Sequence, residues 1–252
     1  MKSAAGPQPE RASLFITCLV DQFFPEVGEA VVEVVERLGA ELSCPRGQTC
    51  CGLPHYNNGF WKEAREIAER NLRLFPGEEA IVVPSGSCGW MLRSVYPTLF
   101  PRSPWEREQA QAFARRVYEF SEYLVHGLGA TDCGSHFPHT LTYHDSCHLL
   151  RGLGRWRAPR ALLQAVSGAR LVELEGADQC CGFGGIFAVK HGAVSESILE
   201  DKLRKAEASG AEILVAADCG CMLQMAGGLS RRGSRMRVLH LAQVLAGSGG
   251  ER

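Results

Sequence analysis

The tripeptide Cys-Cys-Gly occurs twice, at Cys50-Cys51-Gly52 and Cys180-Cys181-Gly182, and each copy stands inside a matching frame of more distant cysteines. Between Cys18 and the first pair lie 31 residues, and between Cys147 and the second lie 32; Cys88 closes one frame and Cys219 with Cys221 the other. Cys18 and Cys147, Cys50 and Cys180, Cys51 and Cys181, and Cys88 and Cys221 lie 129 to 133 positions apart. An offset held this closely marks an internal duplication with a unit of about 120 residues. The halves also correspond outside the cysteines: Thr17-Cys18 matches Ser146-Cys147, and the run Glu119 to Leu124 matches His240 to Leu245. Whatever fold the first half adopts, the second must adopt again.

At 252 residues and 45% hydrophobic content, the chain can bury a sizeable core as one large domain or two smaller lobes. A net charge of −1 gives no general pull toward nucleic acid or anionic membranes. Met1 to Ala12 carries Pro7, Pro9, Glu10 and Arg11 where a signal peptide needs an apolar stretch. The longest apolar run, Ile213 to Leu229, is interrupted by Asp218 and Gln224 and is short for a transmembrane helix. A soluble cytoplasmic protein is expected. In a reducing compartment, eleven cysteines, an odd number, point to metal or redox chemistry rather than a disulfide scaffold.

Strand and helix signals alternate through each half. In the first, strands are expected at Leu14–Cys18, Ala40–Ser43 and Ala80–Val83, with helices at Pro25–Leu38, Phe60–Phe75 and a long charged one at Trp105–Leu128. In the second, strands are expected at Thr140–Tyr143, Arg170–Leu174 and Glu212–Ala216. Helices are expected at Pro159–Val166 and Ala193–Ser209, the latter with Glu196, Glu200, Asp201, Lys202, Arg204 and Lys205 on its wet side. Helices between strands imply parallel pairing with right-handed crossovers. The fold class is therefore α/β: two pseudo-repeated lobes, each a small, mostly parallel sheet with flanking helices. One repeat spans 13–128, a Gly/Asp/Ser/Pro linker 129–139, and the second repeat 140–247.

In such sheets ligands gather at the carboxyl ends of strands, where most of the frame cysteines fall. Helices starting there turn their N–H groups toward the same crevice, which suits an anionic, thiolate-held cluster. Gly52 and Gly182 permit positive φ and close backbone approach to inorganic sulfur. Zinc knuckles take paired ligands from short Cys-x2–4-Cys turns, and neither frame is built around them. Long spacing with one vicinal pair and four thiolates fits an iron–sulfur cluster of the four-iron type, one or two per chain. A zinc-stabilised assembly module remains the alternative.

These frames resemble the cysteine-rich CCG domain found in heterodisulfide reductase and in the glycolate oxidase iron–sulfur subunit. More specifically, Gln48-Thr49-Cys50-Cys51-Gly52-Leu53-Pro54, Pro84-Ser85-Gly86-Ser87-Cys88, Tyr143-His144-Asp145-Ser146-Cys147-His148 and Cys180-Cys181-Gly182-Phe183-Gly184-Gly185 resemble the lactate utilisation protein A family. The resemblance runs from Leu14 to about Leu245. It implies an iron–sulfur redox subunit of an L-lactate oxidation system that is not active alone. Expected partners are a ferredoxin-like iron–sulfur subunit, a third subunit and a 2-hydroxy acid substrate. Heterodisulfide reductase-like thiol–disulfide catalysis and a glycolate oxidase role stay open. The implied metal ligands are Cys18, Cys50, Cys51 and Cys88 in frame one and Cys147, Cys180, Cys181 and Cys221 in frame two. The fuller pattern ends in Cys-x-x-Cys; here Cys88 has no such partner, and Cys219 is either a fifth ligand or a neighbour.

Cys44 and Cys133 fall outside the frames and read as ordinary small apolar residues. His144, Asp145 and His148 flank Cys147, where they either tune a cluster and move protons or pin the loop. His55 and Lys190 follow the two Cys-Cys-Gly loops and, with His144, are the candidates to meet an anionic substrate. Gly182-Phe183-Gly184-Gly185 lacks the G-x-G-x-x-G spacing of a dinucleotide site, so hydride transfer to a nucleotide cofactor is not expected.

Overall fold

A computed structural model describes residues 10–155 and 157–247. The signal-peptide reading of Met1 to Ala12 falls mainly on residues outside that range. The first half runs β1 (Arg11–Leu14), α1 (Cys18–Phe23), α2 (Pro25–Arg37), β2 (Glu41–Ser43), α3 (Leu53–Asn57), α4 (Trp61–Leu74), β3 (Ala80–Val83), α5 (Gly86–Trp90), α6 (Pro104–Arg116), β4 (Val117–Glu119) and α7 (Phe120–Glu122). The second runs β5 (Thr140–His144), α8 (Arg157–Ala165), β6 (Arg170–Leu171), α9 (Ile186–Lys190), α10 (Gly192–Ala208), β7 (Ile213–Ala216), α11 (Cys219–Arg231), β8 (Arg237–His240) and α12 (Leu241–Ala246).

Two four-stranded sheets result, ordered β2-β1-β3-β4 and β6-β5-β7-β8, and every pairing is parallel. The α/β class and the two pseudo-repeated lobes are as the sequence predicts. In each sheet the chain reverses its direction of travel between the first and third strands. The carboxyl ends of those strands flank the switch point where such sheets bind ligands.

The sheets share a central layer. Val31, Val34 and Val35 of α2, Phe120 of α7, Leu162 and Leu163 of α8, and Leu241 and Val244 of α12 are buried in one cluster with residues of both sheets. Helices α2 and α12, from opposite halves, lie directly against each other. The outer face of the first sheet is covered by α4, α5 and α6 through Ala68, Cys88 and Phe113, and that of the second by α10 and α11 through Leu199, Leu203 and Met225. Residues 129–139 are packed against this assembly: Ser135 Oγ bonds the Leu245 carbonyl, and Phe137 N–H donates to Ser167 O at 2.9 Å.

The element readings differ from the structure in several places, among them the strand expected over Arg170–Leu174, which ends at Leu171, and β8, which the sequence does not predict. The long helix expected over Trp105–Leu128 stops at Arg116, and Val117–Glu119 is an edge strand on β3. Three residues give periodicity too little to register, and the charges of α6 continue up to the break. The first strand ends at Leu14 instead of running to Cys18, because Thr17 accepts a hydrogen bond from Val20 N–H and starts α1. Lys202, expected on the wet side of α10, is 1% exposed.

Glu119 and His240, matched in the sequence repeat, each cap the helix that follows the last strand of their sheet. His240 Nδ1 accepts from Ala242 N–H at 3.1 Å, while its Nε2 is buried without a partner. Burial lowers its pKa from the ordinary value of 6.5 to about 4. The unfolded chain therefore binds this proton first, so the contribution of a neutral His240 is present above pH 6.5 and is lost as pH falls toward 4. His240→Asn keeps a capping oxygen and removes the titration. Its stability relative to the native chain should rise by on the order of 3 kcal/mol between pH 7 and pH 4, measured by urea unfolding; a constant difference would contradict this account.

Candidate metal centre

The eight cysteines assigned to the two frames converge as two four-sulfur chains. In frame one, Thr17 places Cys18 at the first position of α1, and Ser85 caps α5 so that Cys88 lies in its first turn. The loop after β2 brings Cys50 and Cys51 between them. Cys51 Sγ lies 3.3 Å from Cys88 Sγ, and the Cys18, Cys50 and Cys51 thiols are close enough to shift one another's ionisation. Frame two repeats the order with Cys147, Cys180, Cys181 and Cys221.

The vicinal pairs depend on their glycines. Gly52 has φ 88° and Gly182 φ 87°, conformations that disfavour any residue with a Cβ. Each glycine N–H donates to the first sulfur of its pair at 3.3 Å, Gly52 to Cys50 and Gly182 to Cys180. At Gly182 a Cβ would also come within 2.5 Å of the Ser195 carbonyl oxygen. These turns let two successive side chains face one point.

One residue that the motif reading passed over joins the frames. Asp218 Oδ1 caps α11 by accepting from Gly220 N–H at 3.0 Å and Cys221 N–H at 3.4 Å. Its Oδ2 accepts from Ser85 Oγ at 3.0 Å and Ser87 N–H at 2.8 Å in the first half. The capping pattern Ser85-x-x-Cys88 and Asp218-x-x-Cys221 was the available signal. Aligning the caps puts Cys219 opposite Gly86, in a buried apolar cluster with Val20 and Met222.

In the metal-free chain each frame holds one strongly stabilised thiolate. Hydrogen bonds from Cys18 first, then Cys51 and the Gly52 amide, lower the Cys50 pKa to about 2. Cys147, Cys181 and Gly182 do the same for Cys180, also to about 2. The thiols that donate are raised. Four sulfurs crowded this closely, some sharing protons, form a soft donor set that suits a thiolate-bound metal or iron–sulfur group. Both frames open onto one crevice of about 210 Å³ that is lined by Cys18, Cys50, Cys147, Cys180, Asn58 and Ile186 among others.

The histidine and lysine candidates occupy different places. His144, at the end of β5, is fully buried with neither ring nitrogen partnered. Burial, reinforced by the Lys202 charge, lowers its pKa to about 3. One of its nitrogens and the sulfurs of Cys181 and Cys221 all lie within 4.8 Å of one another. His55 is half-buried on α3, with Nδ1 unpartnered. Lys190 is exposed at the rim, where its Nζ donates to Asn58 Oδ1 at 3.2 Å across the two lobes. His148 Nδ1 is 3.8 Å from Cys147 Sγ, and its ring lies 4.8 Å from that of Trp90. Asp145 is held by Arg160 through two contacts of 2.8 Å. Cys133 is buried, whereas Cys44 is exposed and accepts from Gln48 Nε2 at 3.5 Å. Lys202, the overlooked cation, donates from Nζ to the carbonyls of Gly176 at 2.6 Å and Ala177 at 3.3 Å, and burial lowers its pKa to about 8.

Residues 12–93 and 141–226 each match the cysteine-rich domain CCG. Lactate utilization protein A of Geobacillus thermodenitrificans is 45% identical over 235 residues, 93% of this chain and 98% of that protein. The chain belongs to the lactate utilization protein A family of CCG-domain proteins. Members with the same name from Geobacillus kaustophilus and Bacillus subtilis are 46% and 43% identical, each across 93% of this chain and 98% of their own length. A hypothetical protein from Helicobacter pylori has the same fold, with a TM-score of 0.66 at 12% identity. It covers 98% of this chain, which spans 51% of that one. In this member of the lactate utilization protein A family, both CCG matches contain the glycine turns and capped cysteines described above.

Thiolate character predicts reactivity in the metal-free, reduced protein. At pH 6, Cys50 and Cys180 should be alkylated by iodoacetamide ahead of Cys44, which is exposed but has its pKa raised by desolvation. Peptide mapping by mass spectrometry measures the order. Labelling of Cys44 first would mean that the hydrogen-bonded thiolates do not persist in solution.

Proposed function

We propose that this chain is the iron–sulfur electron-transfer subunit of a cytoplasmic L-lactate oxidation system. The observation that carries this reading is the pair of four-sulfur frames opening on one crevice. Relatives over nearly the full chain are called lactate utilization protein A. Cys18, Cys50, Cys51 and Cys88 would hold one cluster and Cys147, Cys180, Cys181 and Cys221 the other, each of the four-iron class. When bound, such clusters supply reversible one-electron storage.

The protein's own residues set the conditions for that storage. Cys88 and Cys221 enter in the first turns of capped helices, and the Cys-Cys-Gly turns bring the vicinal pairs to them. Asp218 fixes the separation of the frames by bonding to both. Oxidation of lactate to pyruvate releases two electrons and two protons. Companion subunits, one of them a ferredoxin-like iron–sulfur protein, would receive or deliver those electrons. Catalysis of the substrate step needs a hydride or carbanion acceptor, which is the work of a cofactor, so the isolated chain is not expected to perform it.

Anaerobically isolated or reconstituted protein should contain iron and acid-labile sulfide. Cys51→Ser and Cys181→Ser should each remove about half of the iron, while Cys44→Ser and Cys133→Ser retain it. Stoichiometric zinc without sulfide would replace this reading with that of a zinc-stabilised module. Separately, lactate-dependent reduction of an artificial acceptor should be negligible with the loaded chain alone and appear with its co-purified companions. Turnover by the chain alone would move the substrate step into the crevice, with His55, His144 and Lys190 the first residues to vary.

A further inference from the structure

The duplication makes each frame a control for the other. Ala64 and Ile67 stand against Gly52 as Ser195 and Ile198 stand against Gly182. The same helical offset sets Asn71 of α4 opposite Lys202 of α10. At the strand ends, Phe15 lies three residues before Cys18 and His144 three residues before Cys147. All four side chains are buried. In frame one Phe15 stacks on Phe75 at 5.7 Å, and Asn71 Nδ2 donates to the Cys50 carbonyl at 3.1 Å and to Tyr96 Oη at 2.8 Å, while its Oδ1 is buried with no partner among the described residues.

Frame two differs at both positions. His144 puts an imidazole where frame one has an aromatic hydrocarbon; both its nitrogens are buried and, among the described residues, neither makes a hydrogen bond of good geometry, although the Ala177 backbone is near enough to favour the protonated ring. An orphaned buried polar group of this kind costs about 1–3 kcal/mol. A group that is retained despite that cost calls for an absent partner. The sulfurs of Cys181 and Cys221 lie with a His144 nitrogen inside a 4.8 Å span. Two thiolates and a neutral imidazole form a mixed donor set for a transition metal.

We propose that His144 is a nitrogen ligand of the second centre, so that frame two is a mixed nitrogen–sulfur site while frame one is all-sulfur. This rests on the reading that the frames hold metal. A neutral imidazole adds no negative charge, and the Lys202 ammonium, held by the Gly176 and Ala177 carbonyls, places a cation beside Cys181 and Cys221. Frame one has neutral Asn71 at the corresponding position. The Lys202 cation would favour the reduced state of a centre in frame two relative to one in frame one.

X-ray absorption at the edge of the bound metal, on the full reconstituted chain, tests the ligand. Imidazole scattering should be present in the native protein and lost in His144→Gln, with metal content measured alongside. A sulfur-only shell in the native protein overturns the proposal without recourse to a variant, as does imidazole scattering that survives in His144→Gln. If zinc loads in place of iron, the iron–sulfur reading fails, but the zinc edge still decides the role of His144. In redox titration of the iron-loaded chain, Lys202→Met should lower the more positive of two couples and leave the other in place. Two coincident couples in the native protein, or movement of the more negative one, would overturn the assigned asymmetry.

Discussion

The carboxylate of Asp218 accepts hydrogen bonds from both halves of the duplication, and the relation between the two sulfur frames depends on it. Gly220 and Cys221 bind one oxygen, Ser85 and Ser87 the other. Hydrogen bonds to a charged group are each worth about 1.5–3 kcal/mol, and a site that is 4% exposed leaves water little part in replacing them. The same contacts that begin α11 also hold the loop that begins α5. The last cysteine of each frame is thus placed by a shared anchor rather than by two independent caps. Close packing reinforces it: a Cβ at Gly86 would lie 2.7 Å from the Leu149 Cβ of the other half.

The parts of the site that repeat were legible in the sequence. Duplication of Cys-Cys-Gly identified the eight sulfurs that the fold gathers into two chains, and the glycines implied the left-handed turns found at Gly52 and Gly182. The parallel sheets followed from alternation of strands and helices. The fourth strand of the first sheet did not, because Val117–Glu119 has no periodicity of its own and takes its conformation from pairing with β3. The second sheet has a matching strand, Arg237–His240, whose four residues merge into the apolar run of α12.

Lys202 was illegible for another reason. Its neighbours Asp201, Arg204 and Lys205 pair with one another at the surface, and a charge among charges reads as solvated. Only the fold shows that position 202 turns inward, toward carbonyls at the base of the second Cys-Cys-Gly loop. His144 was visible as a neighbour of Cys147, but its burial and its approach to Cys181 and Cys221 come from β7 lying beside β5. Asp218 was hidden inside an apolar stretch, where it read as an interruption rather than as a cap.

The shared helix layer sets an order of assembly. Helix α12 ends at Ala246, close to the end of the chain, yet its Leu241 and Val244 belong to the same core as Val31 and Val34 of α2. During synthesis from the amino terminus, the first sheet therefore lacks part of the cover on its inner face until α12 has been made. Frame one, though encoded in the first 88 residues, gains the Asp218 bonds to Ser85 and Ser87 only after more than a hundred further residues have been made. The first frame thus reaches the geometry described here only when both halves are present, and a first half made alone would present its thiols without the enclosure that keeps them in register.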